Sequence, residues 1–347
     1  MIEAHTLDSW TLVSERSRPS YRWAIVLGGF GAPIFLFLAG IAMVLAAHAR
    51  MGRGMSEVEA RHRAARRAWQ ICGLAFLFRL QSLIISGGGL RAFLKVDILN
   101  IMGVTMLLTV WLWHIGRSAR GRTLALTLAT IAVAMLTPPI RMAPWLDWLP
   151  DPVEAYIRPL LGRSTFTVFP WGGFLLAGAL AGTWIGAARV LDETRRNAIL
   201  LAVGAAVAVT AYATAFLPAI YPDTNYWTSS PTFFFVRLGI ITALVPLAYA
   251  WSRLPWARTE PAPLRELGMA SLFVYWIHVE MVYGVISTPL HRALTFEQAL
   301  VAMLVFSVFL LSLVRVKQRW SSGKVAAKST EFAPFRAGSA SNRPQSG

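Results

Sequence analysis

Long uncharged runs of apolar residues recur along the chain and are separated by short polar segments. Between Trp23 and Ala49, for example, the only ionisable side chain is that of His48. At about 1.5 Å of rise per residue, a helix of this length crosses a hydrocarbon core about 30 Å thick. The runs are long and continuous, whereas a membrane β-barrel shows short segments of alternating residues. This pattern therefore predicts transmembrane helices.

We predict an all-α fold, a polytopic transmembrane bundle with about nine spans, or ten if an upstream half-helix is missing. The predicted spans are 24–49, 68–86, 98–115, 123–140, 165–188, 197–217, 232–251, 268–288 and 298–314. Residues 1–23 are expected to form an outer segment, and residues 24–316 the membrane domain. Residues 317–347, rich in Ser, Ala, Lys and Pro towards their end, are expected to form a disordered cytoplasmic tail.

The composition agrees with a membrane protein. Hydrophobic residues make up 56% of the chain and charged residues only 14%, and the mean hydropathy is +0.52. Soluble domains carry about 25% charged residues. The single cysteine, Cys72, excludes an intramolecular disulfide. No histidine spacing typical of a metal site occurs, so we predict neither a metal nor a tightly bound cofactor.

Lysine and arginine are unevenly divided between the loops. Counted alternately from the end of the first span, the loops and tail on one side hold 22 and those on the other side six. Because cytoplasmic loops carry the excess of positive charge, we predict an outer N-terminus and a cytoplasmic C-terminus. Topology and anionic lipid headgroups then explain the net charge of +16. We predict no nucleic-acid binding, since no folded basic face is indicated.

Several polar side chains fall at mid-depth or in the outer half of the predicted spans. An ionisable group inside a bilayer costs at least about 2.5–3.5 kcal/mol at mid-depth, so it marks a functional site by default. The residues concerned are Arg79, Asp97, Asn100, Arg237, His278 and Glu280. The outer segment places Glu3, His5 and Asp8 at the same depth. We therefore predict one polar chamber that opens to the outer side.

Most of these residues also have a structural alternative: Glu280 would be an ordinary solvated acid near the interface, and His5 a terminal residue without a role. Arg79 and Asp97 are an ion pair between two helices in the simplest alternative. Arg237 would extend to the outer headgroups, and His278 would be a hydrogen-bonded packing residue. The outer-loop aromatic residues are either an interfacial belt or a platform for stacking a sugar ring. These aromatic residues are Trp145, Trp148, Tyr226 and Trp227.

Six short segments occur in a characteristic order and spacing. They are Met1-Ile2-Glu3-Ala4-His5, residues 32–40 (APIFLFLAG), residues 95–100 (KVDILN), Phe169-Pro170-Trp171, residues 227–231 (WTSSP) and residues 271–278 (SLFVYWIH). Together they resemble the bacterial branch of the transmembrane heparan-alpha-glucosaminide N-acetyltransferase-like family, from Met1 to about Val314. Members of that family usually begin with a helix that ends near a polar Asn or His, and His5 falls at this position.

The resemblance implies that the preceding half-helix is missing and that residues 1–5 are the outer end of a truncated helix. Held from one side only, these residues are expected to be loosely positioned. One departure concerns the catalytic base. The lysosomal branch carries a catalytic histidine in the loop shortly after the polar position, and no histidine lies between His5 and His48 in this sequence.

The function implied by the resemblance is acyl transfer. The acyl group, expected to be acetyl, would move from cytosolic acyl-CoA to a hydroxyl or amine of a sugar or glycan outside the bacterial inner membrane. His5 is the predicted general base, oriented by Glu3, and Asp97 and His278 are further catalytic candidates. Substrate and oxyanion contacts are assigned to Arg79, Asn100, Arg237 and Glu280. Contacts with the CoA phosphates are assigned to Arg50, Arg53, Arg66 and Arg67.

Other functions are compatible with the same sequence. The polar chamber also suits a transporter or flippase for a lipid-linked or small polar substrate. A non-catalytic membrane scaffold is the third possibility. The expected partners of the acyltransferase are membrane lipids, acyl-CoA and the sugar acceptor.

Overall fold

The computed structural model describes residues 1–86, 89–186, 193–221, 223–255 and 262–331, with side chains except at 85, 86 and 321–331. Every regular element in these residues is an α-helix or a 3₁₀ helix. The predicted all-α fold class is thus confirmed. Three short 3₁₀ helices span Val13–Ser17, Pro144–Trp148 and Val285–Leu290.

The described residues form fourteen α-helices. In chain order they are α1 (Ile2–Trp10), α2 (Pro19–Gly28), α3 (Gly31–Met51), α4 (Glu57–Ser86), α5 (Gly89–Phe93), α6 (Ile98–Ile115), α7 (Ala119–Arg141), α8 (Asp151–Ile157), α9 (Val168–Gly186), α10 (Glu193–Thr214), α11 (Pro231–Arg253), α12 (Pro263–Met269), α13 (Ser271–Tyr283) and α14 (Phe296–Glu331).

Seven helical segments of the described chain are long and apolar enough to cross a membrane. They are Pro19–Met51, Ile98–Ile115, Ala119–Arg141, Val168–Gly186, Glu193–Thr214, Pro231–Arg253 and Phe296–Trp320. Each contains or overlaps a predicted span, and the chain is an integral membrane protein. The two other predicted spans, 68–86 and 268–288, fall in α4 and around α13, which has only 13 residues. Nine crossings therefore stay a prediction.

The last helix extends beyond its predicted end. The span was predicted to end at residue 314 and a disordered tail to begin at residue 317, but α14 continues to Glu331. Lysine, glutamine and alanine are good helix formers, so a helix that leaves the bilayer has no local reason to stop there. Residues 317–331 thus continue α14, residues 332–347 lie outside the described part of the chain, and the predicted disordered tail stays a prediction.

Backbone contacts divide the chain into two units. The first unit consists of Met1 and Arg16–Arg258, and the second of Ile2–Glu15 and Thr259–Gly347. The first unit contains α2 to α11. Its most extensive helix pairs are α3 with α9 and α10 with α11. Gly178 and Gly239 explain this closeness, because a Cβ atom at either would overlap the backbone of the neighbouring helix, at Phe37 and Ala208 respectively.

The second unit contains α1, α12, α13 and α14. Trp10 of α1 packs edge-on against Phe306 of α14, with 5.7 Å between ring centroids. Beyond α1 the backbone pairs with a distant loop, where Leu12 N–H donates to Leu294 C=O over 2.8 Å. Leu7 is fully buried. The expectation that the N-terminal residues are loosely held is therefore wrong, because α1 is packed and hydrogen-bonded within its own unit.

Candidate active site

A hydrogen-bonded chain in the second unit begins at His5. The Nδ1 atom of His5 lies 3.0 Å from the hydroxyl oxygen of Tyr283, and that hydroxyl donates to Oδ2 of Asp8 over 3.2 Å. Since Tyr283 uses its proton on Asp8, its oxygen accepts the proton of His5 Nδ1. His5 is then the tautomer whose Nε2 carries the lone pair, the form a general base requires.

The sequence explains how this chain assembles. His5 and Asp8 are three residues apart on α1, so their side chains share one helix face. Tyr283 is the last residue of α13. The hydroxyl of Ser9 also donates to the carbonyl of Val282, over 3.1 Å, and so holds α1 beside the end of α13. The arrangement resembles the way a carboxylate orients a catalytic histidine, with a tyrosine hydroxyl placed between the two groups.

A second histidine lies beside the first. The rings of His5 and His278 are 5.2 Å apart between centroids and tilted by 47°. His278 is only 1% exposed, and its Nδ1–H donates to the carbonyl of Val274, one turn earlier on α13, over 2.7 Å. Its Nε2 atom is buried and has no hydrogen-bond partner among the described residues. An unsatisfied buried nitrogen is costly in a purely structural residue, so this feature favours a functional role for His278.

The predicted orienting residue Glu3 is placed differently. Residues two apart on a helix do not face each other, and the contacts described for His5 go to Tyr283 and His278. Burial raises the pKa of the Glu3 carboxyl above its ordinary value. Glu280 is half-buried on α13, two residues beyond His278. The catalytic role of Glu3 and the substrate role of Glu280 stay predictions.

In the first unit the structure brings Arg79 and Asp97 together, as predicted. Nη2 of Arg79 donates to Oδ2 of Asp97 over 2.6 Å, and the two side chains are 12% and 14% exposed. Asp97 also caps α6, because its Oδ1 accepts from the N–H of Ile98 over 2.8 Å. Asn100 completes the capping box through Asp97 N–H and donates to the hydroxyl of Tyr156 over 3.0 Å.

These contacts occupy both carboxylate oxygens of Asp97 and both ends of the Asn100 amide. A group already engaged in this way is a poor proton acceptor for a substrate. The network joins α4, α6 and α8, and burial raises the pKa of Tyr156 at its end. The geometry thus favours the alternative in which Arg79 and Asp97 are a structural ion pair, and a catalytic or oxyanion role for this group stays a prediction.

Arg237 lies in a cavity of about 510 Å³ in the first unit. Its guanidinium carbon is 4.0 Å from the centroid of the Phe233 ring. Arg141, at the end of α7, lines the same cavity. Two of the segments that carry the family resemblance reach it, through Pro170 and Trp171 of one and Trp227, Thr228 and Ser230 of the other.

The arginines predicted to bind CoA phosphates lie at the end of α3, in the turn that follows it and on α4. Arg50 is at the end of α3, and Arg53 is in the turn between the two helices. Arg66 and Arg67 lie on α4 and are exposed. Other basic residues nearby are paired with acids, such as Arg63 with Glu59 over 3.0 Å. Accessible guanidinium groups suit phosphate binding, but their role stays a prediction.

Three residues of these sites were not found from the sequence. Tyr283 and Tyr156 carry no charge, so the cost of burying an ion did not mark them. Arg141 stands directly after a predicted span and was counted as a loop charge. The signal that was available for Tyr283 is its position at the end of the segment that holds His278. Asp8 was grouped with Glu3 and His5 by its predicted depth, but no partner was predicted for it.

A comparison with protein families identifies the first part of the chain. A family model described as heparan-alpha-glucosaminide N-acetyltransferase, catalytic, matches residues 1–214. The match covers more than half of the chain and includes His5, Arg79 and Asp97, whereas Arg237, His278 and Tyr283 lie beyond it. Comparison with curated proteins finds no match. With its apolar spanning helices and this catalytic-domain match, the chain belongs to the heparan-alpha-glucosaminide N-acetyltransferase family of membrane acetyltransferases.

Proposed function

We propose that the protein transfers an acetyl group from cytosolic acetyl-CoA to a hydroxyl or amine of a sugar or glycan on the outer side of a bacterial inner membrane. The N-terminus lies outside and the C-terminus inside, as the loop charges indicate. The observation that carries the proposal is the chain from Asp8 through Tyr283 to His5, beside the unpartnered Nε2 of His278. It supplies a histidine in the tautomer of a general base within an acetyltransferase domain.

In the proposed reaction the acceptor oxygen or nitrogen attacks the thioester carbonyl while His5 Nε2 removes its proton. The tetrahedral intermediate then collapses, the carbon–sulfur bond breaks, and the CoA sulfur takes up the proton from His5. A positioned base of this kind contributes about 10²–10⁴-fold to a rate. Tyr283 and Asp8 hold the imidazole in the correct tautomer and stabilise its protonated form. His278 is the alternative base.

The test is transfer across a sealed membrane. The purified full-length protein is reconstituted in proteoliposomes, acetyl-CoA labelled in the acetyl group is supplied on the side of the C-terminus, and sugar acceptors are enclosed on the other side. We expect labelled acetyl on the acceptor and free CoA on the donor side. If a sugar crosses the membrane unmodified and acetyl-CoA is not consumed, the protein is a transporter and the proposal fails.

The same experiment establishes sidedness. A protease site placed in the exposed turn near Arg53 reports which molecules are oriented with this turn outwards, and digestion leaves one orientation for the assay. In the molecules that stay intact the turn faces the vesicle interior, so transfer should then require acetyl-CoA inside the vesicles. Equal rates with donor on either side would contradict the proposed orientation.

A further inference from the structure

The cavity beside Arg237 is lined by residues that have no role in the proposed reaction. Among the described residues that line it are two arginines and no aspartate or glutamate. Within the described residues neither Arg141 nor Arg237 forms an ion pair, and the Nε atom of each is buried without a hydrogen-bond partner. Two cations that line one cavity repel each other, and an anionic group bound between them would be attracted by both.

The other lining residues indicate what kind of molecule would carry the anionic group. Trp171, Trp227 and Phe233 give the cavity aromatic walls, and Trp227 and Phe233 pack against each other at 4.9 Å between centroids. Hydroxyl groups line it as well, from Thr165, Thr167, Thr228 and Ser230. Aromatic faces combined with several hydroxyls and a few charged groups suit a polar ring better than an acyl chain.

The volume is that of a ligand site. A water molecule occupies about 30 Å³ in the liquid, so a cavity of about 510 Å³ holds far more than one bridging water. It falls within the range of roughly 300–1,000 Å³ typical of small-molecule sites. Arg141 and Trp227 also lie in or next to the segments that the loop charges assign to the outer side, where cytosolic CoA does not reach.

We infer that this cavity binds a sugar that carries an anionic group, a carboxylate or a phosphate, with Arg141 and Arg237 clamping the anion and Trp171 and Trp227 contacting the ring. The inference rests on the proposed function in taking this sugar to be part of the glycan that accepts the acetyl group. It gives Arg237 a role in binding the ligand, in place of the oxyanion role predicted from the sequence, and it adds Arg141.

The structure also separates the aromatic residues that the sequence grouped together. Trp145, Trp148 and Trp227 are all exposed, by 62%, 90% and 57%. Trp227 lines the cavity, whereas Trp145 and Trp148 are not among its lining residues and suit an interfacial belt. The sugar-stacking alternative therefore applies to Trp227 but not to the other two tryptophans.

Calorimetric binding measurements on the full-length protein test the inference. The protein is kept in a polyoxyethylene detergent, which contains neither sugar nor phosphate. The probes are glucuronate, glucose 1-phosphate and glucose. We expect both anionic sugars to bind at least 10-fold more tightly than glucose. Arg141→Gln and Arg237→Gln should each weaken glucuronate binding about 10- to 100-fold, and Arg237→Lys less. Arg91→Gln, at an exposed arginine outside the cavity, should leave binding unchanged.

The comparison of glucuronate with glucose needs no variant, so it stays decisive even if an arginine variant fails to fold. Equal binding of the two sugars would overturn the inference. Binding of dihexanoyl phosphatidylglycerol, but of neither anionic sugar, would assign the arginines to a lipid headgroup and overturn it as well. Competition by CoA that disappears in Arg141→Gln would assign the cavity to the donor, with the same consequence.

Acetyl transfer measured on the same preparation separates this inference from the proposed function. If acetyl transfer to a neutral sugar proceeds while no anionic sugar binds, the inference fails and the proposed function stands. If anionic sugars bind through Arg141 and Arg237 but no acceptor is acetylated, the site stands and the proposed function fails.

Discussion

Arg79 of α4 donates to Asp97 at the start of α6 over 2.6 Å, and both side chains are largely buried. Removing one partner of a buried pair leaves an uncompensated charge and costs about 3–5 kcal/mol. We expect Arg79→Ala to lower thermal stability strongly and Arg79→Ala/Asp97→Asn to restore much of it, because asparagine keeps the helix cap. Thermal unfolding of the purified variants measures this. A double variant as unstable as the sum of the two single changes would contradict the pairing.

Arg158 holds together the segment that leads from Arg141 towards α9. It forms ion pairs with Glu154 and Asp147 and donates to the backbone carbonyl of Ala143 over 3.0 Å. The planar guanidinium directs its donors to several separate acceptors in a fixed geometry that the compact lysine ammonium does not reproduce. We expect Arg158→Lys to destabilise the protein by about 1–3 kcal/mol, measured by thermal unfolding, and Arg91→Lys to have no effect. An equally stable Arg158→Lys variant would contradict the role of the fork.

Substitution by alanine at two glycines inside helices should change the stability of the protein in opposite directions. A Cβ at Gly178 of α9 overlaps the backbone at Phe37, while a Cβ at Gly73 of α4 meets no atom within 4 Å. We expect Gly178→Ala to destabilise the protein by about 1–3 kcal/mol through overpacking. Gly73→Ala should stabilise it by up to about 1 kcal/mol through helix propensity. Equal shifts in melting temperature would show that α3 and α9 do not pack this closely.

Burial raises the pKa of Glu3, which gives its contribution to stability a definite sign. The folded protein binds this proton more tightly than the unfolded chain, so stability from this group falls as pH rises above the unfolded value of about 4.5. Glu3→Gln should therefore raise the melting temperature at pH 7.5 relative to wild type and change it less at pH 4.5. Glu193→Gln, at an exposed position, is the control. A pH-independent effect of Glu3→Gln would contradict the shift.

The sequence was most informative where a local helix signal and the cost of burying a charge in the bilayer pointed to the same structure. The span 98–115 was predicted with the bounds of α6, because an uncharged run lies between an N-cap aspartate and Gly116. The pairing of Arg79 with Asp97 followed from the cost of burying either charge alone. Contacts between distant segments gave no such signal. Residues 5 and 283 are far apart in the chain and meet only because α1 packs on α13, and the cavity that joins Arg141 to Arg237 depends on tertiary structure in the same way.

Tyr283→Phe tests whether Tyr283 acts through His5. The change removes the hydroxyl that joins His5 to Asp8 and leaves the ring that packs on His5 at 5.5 Å. We expect kcat for acetyl transfer to fall about 10-fold with little change in KM, because positioning of the base matters to the transition state. Tyr212→Phe, at an exposed residue of α10, should behave as wild type. An unchanged kcat in Tyr283→Phe would remove Tyr283 from the mechanism.

The most direct test of the proposed base is the rate of acetyl transfer from labelled acetyl-CoA to a sugar acceptor in proteoliposomes. This rate is compared between wild type, His5→Ala and His62→Ala. His62 is exposed on α4 and outside the proposed site, so its replacement should leave the rate unchanged. Loss of a general base predicts a rate at least about 100-fold lower in His5→Ala. A wild-type rate in His5→Ala, together with a lost rate in His278→Ala, would contradict the assignment and place the base at His278.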